Sequence, residues 1–139
     1  MEEIEVVLDT NVLHAGLYSS RGGSYRILQL VEQGVVKLNL STTLLFEYEE
    51  VLKRHTTMLR LTGDDIEQLL NYLCQVSTHH RISYLWRPCL KDPKDDHILE
   101  LAVAAKAPLI VTHNVKDFHE STQFGIRAVT PRLFLEELT

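Results

Sequence analysis

The sequence predicts an α/β domain, with a mostly parallel central sheet, helices on both faces, and one domain spanning residues 1–139. Three observations carry this. Short β-branched runs alternate with longer segments whose apolar residues recur at helical spacing. The chain of 139 residues, 45% hydrophobic and 24% charged, is long enough and apolar enough to bury a core. Polar residues gather where the strand-like runs end, which is where parallel α/β sheets place their functional groups.

The elements follow in order. IEVVL (4–8) is short, β-branched and bounded by acids, as a buried strand should be. Residues 19–24 (SSRGGS) form a loop. A helix over 25–33 carries Ile27, Leu28, Leu30 and Val31 on one stripe, and Gly34 closes it. VVKLNL (35–40) is a second strand. Ser41 or Thr42 then caps a helix through Arg54, with Leu44, Leu45, Tyr48, Val51 and Leu52 on one face. Gly63-Asp64-Asp65 opens a helix over 66–76. ISYLW (82–86) is predicted as a short strand. Asp92-Pro93-Lys94-Asp95-Asp96 leads into the Ala-rich helix HILELAVAAKA, which Pro108 ends. LIVT (109–112) is another strand, followed by HNVKDF, and residues 131–138 form a final short helix.

Composition narrows the function. The net charge of −5 (His neutral) argues against a broad basic face for nucleic acid, so any such contact is local or mediated by cations. Arg21, Arg26, Lys53, Arg54 and Arg60 offer at most a local rim, and Tyr18 and Tyr25 flank the glycine loop where they can stack on a base or simply pack. No basic-then-apolar leader follows Met1, and no run approaches a membrane span, so a soluble cytoplasmic protein without membrane contact is expected. Cys74 and Cys89, far apart and outside any CxxC, are expected as buried reduced thiols. His79, His80, His97, His113 and His119 have no zinc spacing and are expected on the surface or in loops. No GxSxG or Gly-rich phosphate loop occurs; Gly22-Gly23 is a turn, and Thr10 has no base beside it in sequence.

What remains is acidic. VVLDTNVL (6–13) interrupts an apolar run with Asp9, Thr10 and Asn11, at the end of a strand that should be central. Asp9 is either a helix cap or a ligand. Glu47 falls close to the buried face of its helix, where a carboxylate needs a partner. Asp95 and Asp96 open the Ala-rich helix, and Asn114 and Asp117 follow LIVT; each of these also suits a helix start. Converging in one crevice, these carboxylates would raise one another's pKa, and a divalent cation would remove the conflict. Oxygen donors favour Mg²⁺ or Mn²⁺ over zinc.

LDTNV, STTLLFEYEEVL and DPKDDHILELAVAAKAPLIVTHNVKDF, in this order and spacing, resemble the successive motifs of the PIN domain, from residue 6 to about 134. The similarity is greatest to bacterial PIN domains of the toxin–antitoxin type, related to VapC toxins. The resemblance implies a Rossmann-like fold, a Mg²⁺/Mn²⁺-dependent ribonuclease leaving 5′-phosphate and 3′-hydroxyl ends, an RNA substrate, a homodimer, and a small antitoxin that covers the site. By that resemblance Asp9 is the first acidic ligand and Asn11 its orienting neighbour, Glu47 is the second acid, and Ser41 is the small polar residue before its helix. Asp95 or Asp96 is the third acid. Asp95 is preferred for its spacing to Thr112 and its shared face with Leu99 and Ala102. Thr112 contacts the site through its hydroxyl. Asn114 departs from the pattern, standing where many members carry Asp, so Asp117 would supply the missing charge for a second ion. Two other classes compete: a degenerate PIN fold that binds RNA or protein without cutting, and a Mg²⁺-dependent phosphatase with Asp9 as nucleophile, which the absence of a second Asp at position 11 disfavours.

Overall fold

The computed structural model describes residues 3–82, 90 and 92–138. Five parallel strands form one sheet in the order β3-β2-β1-β4-β5: β1 (Ile4–Leu8), β2 (Val36–Leu40), β3 (Thr78–His79), β4 (Leu109–Val111) and β5 (Arg127–Val129). β1 pairs with β2 through Val6 and Leu38, and with β4 through Leu8 and Val111. Val6, Val7 and Leu8 have no solvent exposure at all, which is why β1 reads as a continuous apolar run instead of an alternating one.

The helices are α1 (Thr10–Tyr18), α2 (Gly23–Glu32), α3 (Thr42–Arg54), α4 (Thr56–Leu59), α5 (Gly63–Val76), α6 (Asp96–Ala105) and α7 (Pro131–Leu138). Two 3-10 segments, Pro93–Asp95 and Val115–Phe124, precede α6 and follow β4. Gly34 ends α2 as expected, at φ +79°, with its N–H on Val31 and the Val35 N–H on Leu30. Ser41 caps α3 by accepting from the Leu44 N–H at 3.1 Å. A reciprocal Thr62–Asp65 capping box starts α5 three residues before the helix expected at residue 66.

Sheet order reverses at β1, which lies between β2 and β4. Open parallel sheets place ligands at such a switch point, beyond the strands' carboxyl ends. Asp9 and Thr112 are the residues that leave the two strands there.

The structure departs from expectation at α1, β5 and Cys74. α1 begins directly at Thr10, because the polar trio ends the strand and turns at once into a helix that buries Val12 and Leu13. β5, three residues long, completes the sheet edge beside β4. The strand expected at 82–86 falls largely outside the described residues, and β2 is flanked instead by Thr78 and His79. Cys74 is an exposed free thiol, since it stands one residue past the buried Leu73 on α5 and so faces away from the core; Cys89 lies outside the described residues. Among the described residues no helix is long and apolar enough to cross a membrane.

Candidate active site

The carboxyl ends of β1 and β4 meet at a cavity of about 330 Å³ lined by Asp9, Thr10, Asn11, His14, Val51, His55, Asp95 and Asn114. Asp9 holds the N-cap position of α1, but its side chain makes no capping bond. It accepts a 2.7 Å hydrogen bond from the Thr112 hydroxyl instead. Thr112 in turn accepts the Asn114 N–H at 3.0 Å, so strand β4 orients the acid at the end of β1. Burial pushes the Asp9 carboxyl above its ordinary pKa against the Thr112 bond, with the nearby Glu47 adding to the rise.

Asp95 and Asn114 show the same pattern. Both hold N-cap positions, Asp95 on α6 and Asn114 on the following 3-10 segment, and neither makes a capping bond. Burial and then the charges of Asp9, Asp92, Asp117 and Glu47 raise the Asp95 pKa to about 7. Asp96 points elsewhere: it is fully buried and accepts the Leu90 N–H at 2.8 Å. The two candidates for the third acid are thereby separated, one lining the crevice and one holding the segment before α6 from beneath.

Glu47 reaches the site from α3. Its carboxylate accepts from the Thr10 hydroxyl at one oxygen and lies 3.1 Å from His97 Nε2 at the other. Burial works against this charge, yet the bonds from His97 and Thr10 outweigh it and hold the pKa below its ordinary value. One residue further on, Tyr48 is completely buried and donates to the Leu8 carbonyl at 2.5 Å, pinning the residue before Asp9 to α3. Burial, with Asp9 and Glu47 nearby, pushes its phenol well above the usual range, so it stays a donor.

Asn11 accepts from the His113 N–H at 3.3 Å, tying α1 to the loop after β4. Asp117 lies in an adjoining cavity of about 400 Å³ that shares Asn114 with the first. Ser41 is buried with its hydroxyl committed to the α3 cap, and it is not among the residues lining the crevice.

His97 corrects the expectation of a surface histidine. It is 8% exposed, because α6 is buried around its whole first two turns and every polar group there needs a partner. The Thr10–Glu47 bond was also invisible, since it joins residues 37 apart. The proposed basic rim is weaker than expected: Lys53 pairs with Glu49 at 3.0 Å and Arg54 with Glu50 at 2.5 Å along α3.

The acids and amides around the crevice offer oxygen donors, which suit a hard divalent cation by chemical type, and the ring nitrogens of His14 and His55 lie beside them. As they stand, no group of three or more His, Cys, Asp or Glu among the described residues is already gathered tightly enough to hold one.

A five-stranded parallel sheet with acids at its switch point defines an α/β domain with a candidate site beyond its strand ends. A family model for the PIN domain matches residues 5–116, and the chain belongs to that family. PIN domains are generally nucleases and typically use divalent metal ions. Comparison with curated proteins returns no match.

Proposed function

We propose that the protein is a Mg²⁺- or Mn²⁺-dependent ribonuclease that hydrolyses RNA phosphodiester bonds, with Asp9, Glu47 and Asp95 as the cation-holding acids. One observation carries this. Asp9, Asp95 and Asn114 all stand at helix starts, none makes a capping bond, and all three line one crevice. Acids kept merely as caps would bond the N–H groups behind them.

A bound divalent ion supplies a water of lowered pKa and relieves the charge that grows on the phosphorus. The chain's own groups supply position. Thr112 orients Asp9, Thr10 and His97 hold Glu47 ionised, and Tyr48 fixes the strand end that carries Asp9. In this reading Asn114 and Asp117, which line the adjoining cavity, are the groups that receive the leaving 3′ oxygen. Attack by water on phosphorus breaks the bond to that oxygen, which takes up a proton and leaves a 5′-phosphate on the other fragment.

The motif resemblance supports a further extension: a cytoplasmic toxin acting as a homodimer and held inactive by a small antitoxin over the crevice. Expressed alone, such a toxin arrests growth, and the partner restores it; normal growth without a partner counts against the extension. Asn114, neutral where an acid is common, favours a second reading as a binding module that does not cut.

The deciding experiment incubates the purified protein with mixed-sequence RNA in Mg²⁺, Mn²⁺ or EDTA, beside Asp9→Asn. Cleavage that needs metal and disappears in Asp9→Asn supports the nuclease. RNA binding without cleavage by the unaltered protein supports the module. A stable phosphoryl adduct on Asp9 would turn the reading to phosphatase.

A further inference from the structure

One helix turn away from the acids stands a feature that the cleavage reading does not use. His14, on α1, lines the same crevice as Asp9 and Asp95 and meets His55 edge to face, with ring centres 4.8 Å apart and planes at 75°. Four residues further along α1, Tyr18 lies nearly parallel to His14, with ring centres 6.4 Å apart and planes at 12°. The three rings make a row from the crevice to the surface, where Tyr18 is 62% exposed.

This row is poorly explained as packing. His14 Nε2 and His55 Nδ1 are buried with no hydrogen-bond partner among the described residues, a cost that a core would ordinarily avoid with apolar rings. An exposed tyrosine at the end of the row adds little to the core. Tyr18 also lines a second cavity of about 320 Å³ (close in size to the crevice at about 330 Å³), together with Gly22, Ser24, His113 and Arg132. His113 lines the cavity of Asp117 as well, so one residue links the cavity beside Tyr18 to the one that holds Asp117.

We infer that Tyr18, His14 and His55 form a stacking platform that seats the unpaired bases of single-stranded RNA beside the crevice. This rests on the ribonuclease reading and assigns the side chains that would hold its substrate. Three arguments favour bases over phosphates as the main hold. The chain carries a net charge of −5. Lys53 and Arg54, the cations of α3 near His55, are already paired with acids. The crevice itself is acidic, so it repels a phosphate strand unless cations intervene. Stacking on aromatic rings is indifferent to these charges and tolerant of sequence, but it needs unstacked bases and so excludes a duplex.

The test measures binding first and cleavage second, so that the two ideas fail separately. A fluorescein-labelled single-stranded RNA of roughly a dozen mixed-sequence nucleotides is titrated with the protein in Ca²⁺, followed by anisotropy, with an RNA duplex as competitor. Tyr18→Ala, at an exposed position that leaves the fold undisturbed, is expected to weaken binding about 5- to 100-fold. Tyr18→Trp is expected to restore it, and His55→Ala to weaken it similarly. Phe46→Ala, equally exposed at 62% but lining the groove between α3 and α5, serves as control and is expected to change nothing. In Mg²⁺, Tyr18→Ala should raise KM and leave kcat near that of the unaltered protein.

Unchanged binding in Tyr18→Ala, an equal loss in Phe46→Ala, or competition by duplex as strong as by single strand overturns the platform. No RNA binding by the unaltered protein also overturns it. Cleavage that persists with unchanged KM in Tyr18→Ala overturns the platform and leaves the nuclease reading standing. Binding that depends on Tyr18, without cleavage in Mg²⁺, upholds the platform and sinks the nuclease reading.

Discussion

Replacing Asp95 by Asn should make the metal-free protein more stable, not less. In the fold, burial and the surrounding acids raise the Asp95 pKa to about 7 from an ordinary 3.8. Between these two values the folded chain keeps a proton that the unfolded chain has lost. Its stabilising effect is therefore full below about pH 4 and is lost as pH rises to about 7, after which the penalty is constant. Three tenfold steps in proton affinity would correspond to roughly 4 kcal/mol. Asp95 is only half-buried, however, and solvent screens such interactions, so about 1–2 kcal/mol is the expected penalty. Asn carries no charge at any pH and escapes it. Thermal melts in EDTA should show Asp95→Asn matching the unaltered protein near pH 4 and exceeding it by about 3–8 °C near pH 8. Added Mg²⁺ should stabilise the unaltered protein by about 1.4 kcal/mol at ten times its dissociation constant, and Asp95→Asn far less. If Asp95→Asn is no more stable at pH 8, or if its advantage is the same at both pH values, the carboxylates are not in electrostatic conflict and the argument for a cation loses its basis.

Three further outcomes are expected. Asp96→Ala removes a buried carboxylate bonded to the Leu90 N–H and should cost about 2–3 kcal/mol in urea unfolding, the opposite sign to its neighbour; a loss under 0.5 kcal/mol would refute the buried anchoring role. His97→Ala takes away a donor to Glu47 and should weaken Mg²⁺ binding about 10- to 100-fold by calorimetry, with His97→Gln recovering part of it; equal loss in both variants would argue that only the ring's packing matters. Tyr48→Phe deletes one buried bond to the Leu8 carbonyl and should cost about 1–2 kcal/mol while lowering cleavage through a displaced Asp9; unaltered stability would mean that the strand end is held without it.

The strands that lie deep in the sheet were legible because burial on both faces leaves an uninterrupted apolar signature, as in Val6-Val7-Leu8 and Ile110-Val111. β3 and β5 were not, since they are two and three residues long at the sheet edges and partly exposed, so no uninterrupted apolar run marks them. α1 escaped for another reason: its first residues are polar, and its weakly patterned nine residues follow β1 with no loop between. The acids themselves stood out as polar groups at apolar boundaries. Which of Asp95 and Asp96 faces the crevice was harder, because a 3-10 turn at Pro93–Asp95 precedes α6 and breaks the helical count on which spacing arguments depend. His97 was hidden by the same helix, whose buried first turns present no polar face against which a partnered histidine could be recognised.

The hydrogen bonds divide the acids into two kinds. Asp9 has Thr112, Glu47 has Thr10 and His97, and Asp96 has the Leu90 N–H. These donors fix each carboxylate whatever else is present. The Asp95 carboxyl accepts no hydrogen bond among the described residues, and it is the acid pushed up to about 7. Its ionisation is therefore decided by what occupies the crevice: a proton when the site holds only its own charges, a cation when one arrives. A site built this way binds its metal in competition with one proton near neutral pH, so apparent Mg²⁺ affinity should rise with pH up to about 7 and level off above it. The part of that dependence near neutral pH belongs to Asp95, and Asp95→Asn should flatten it there.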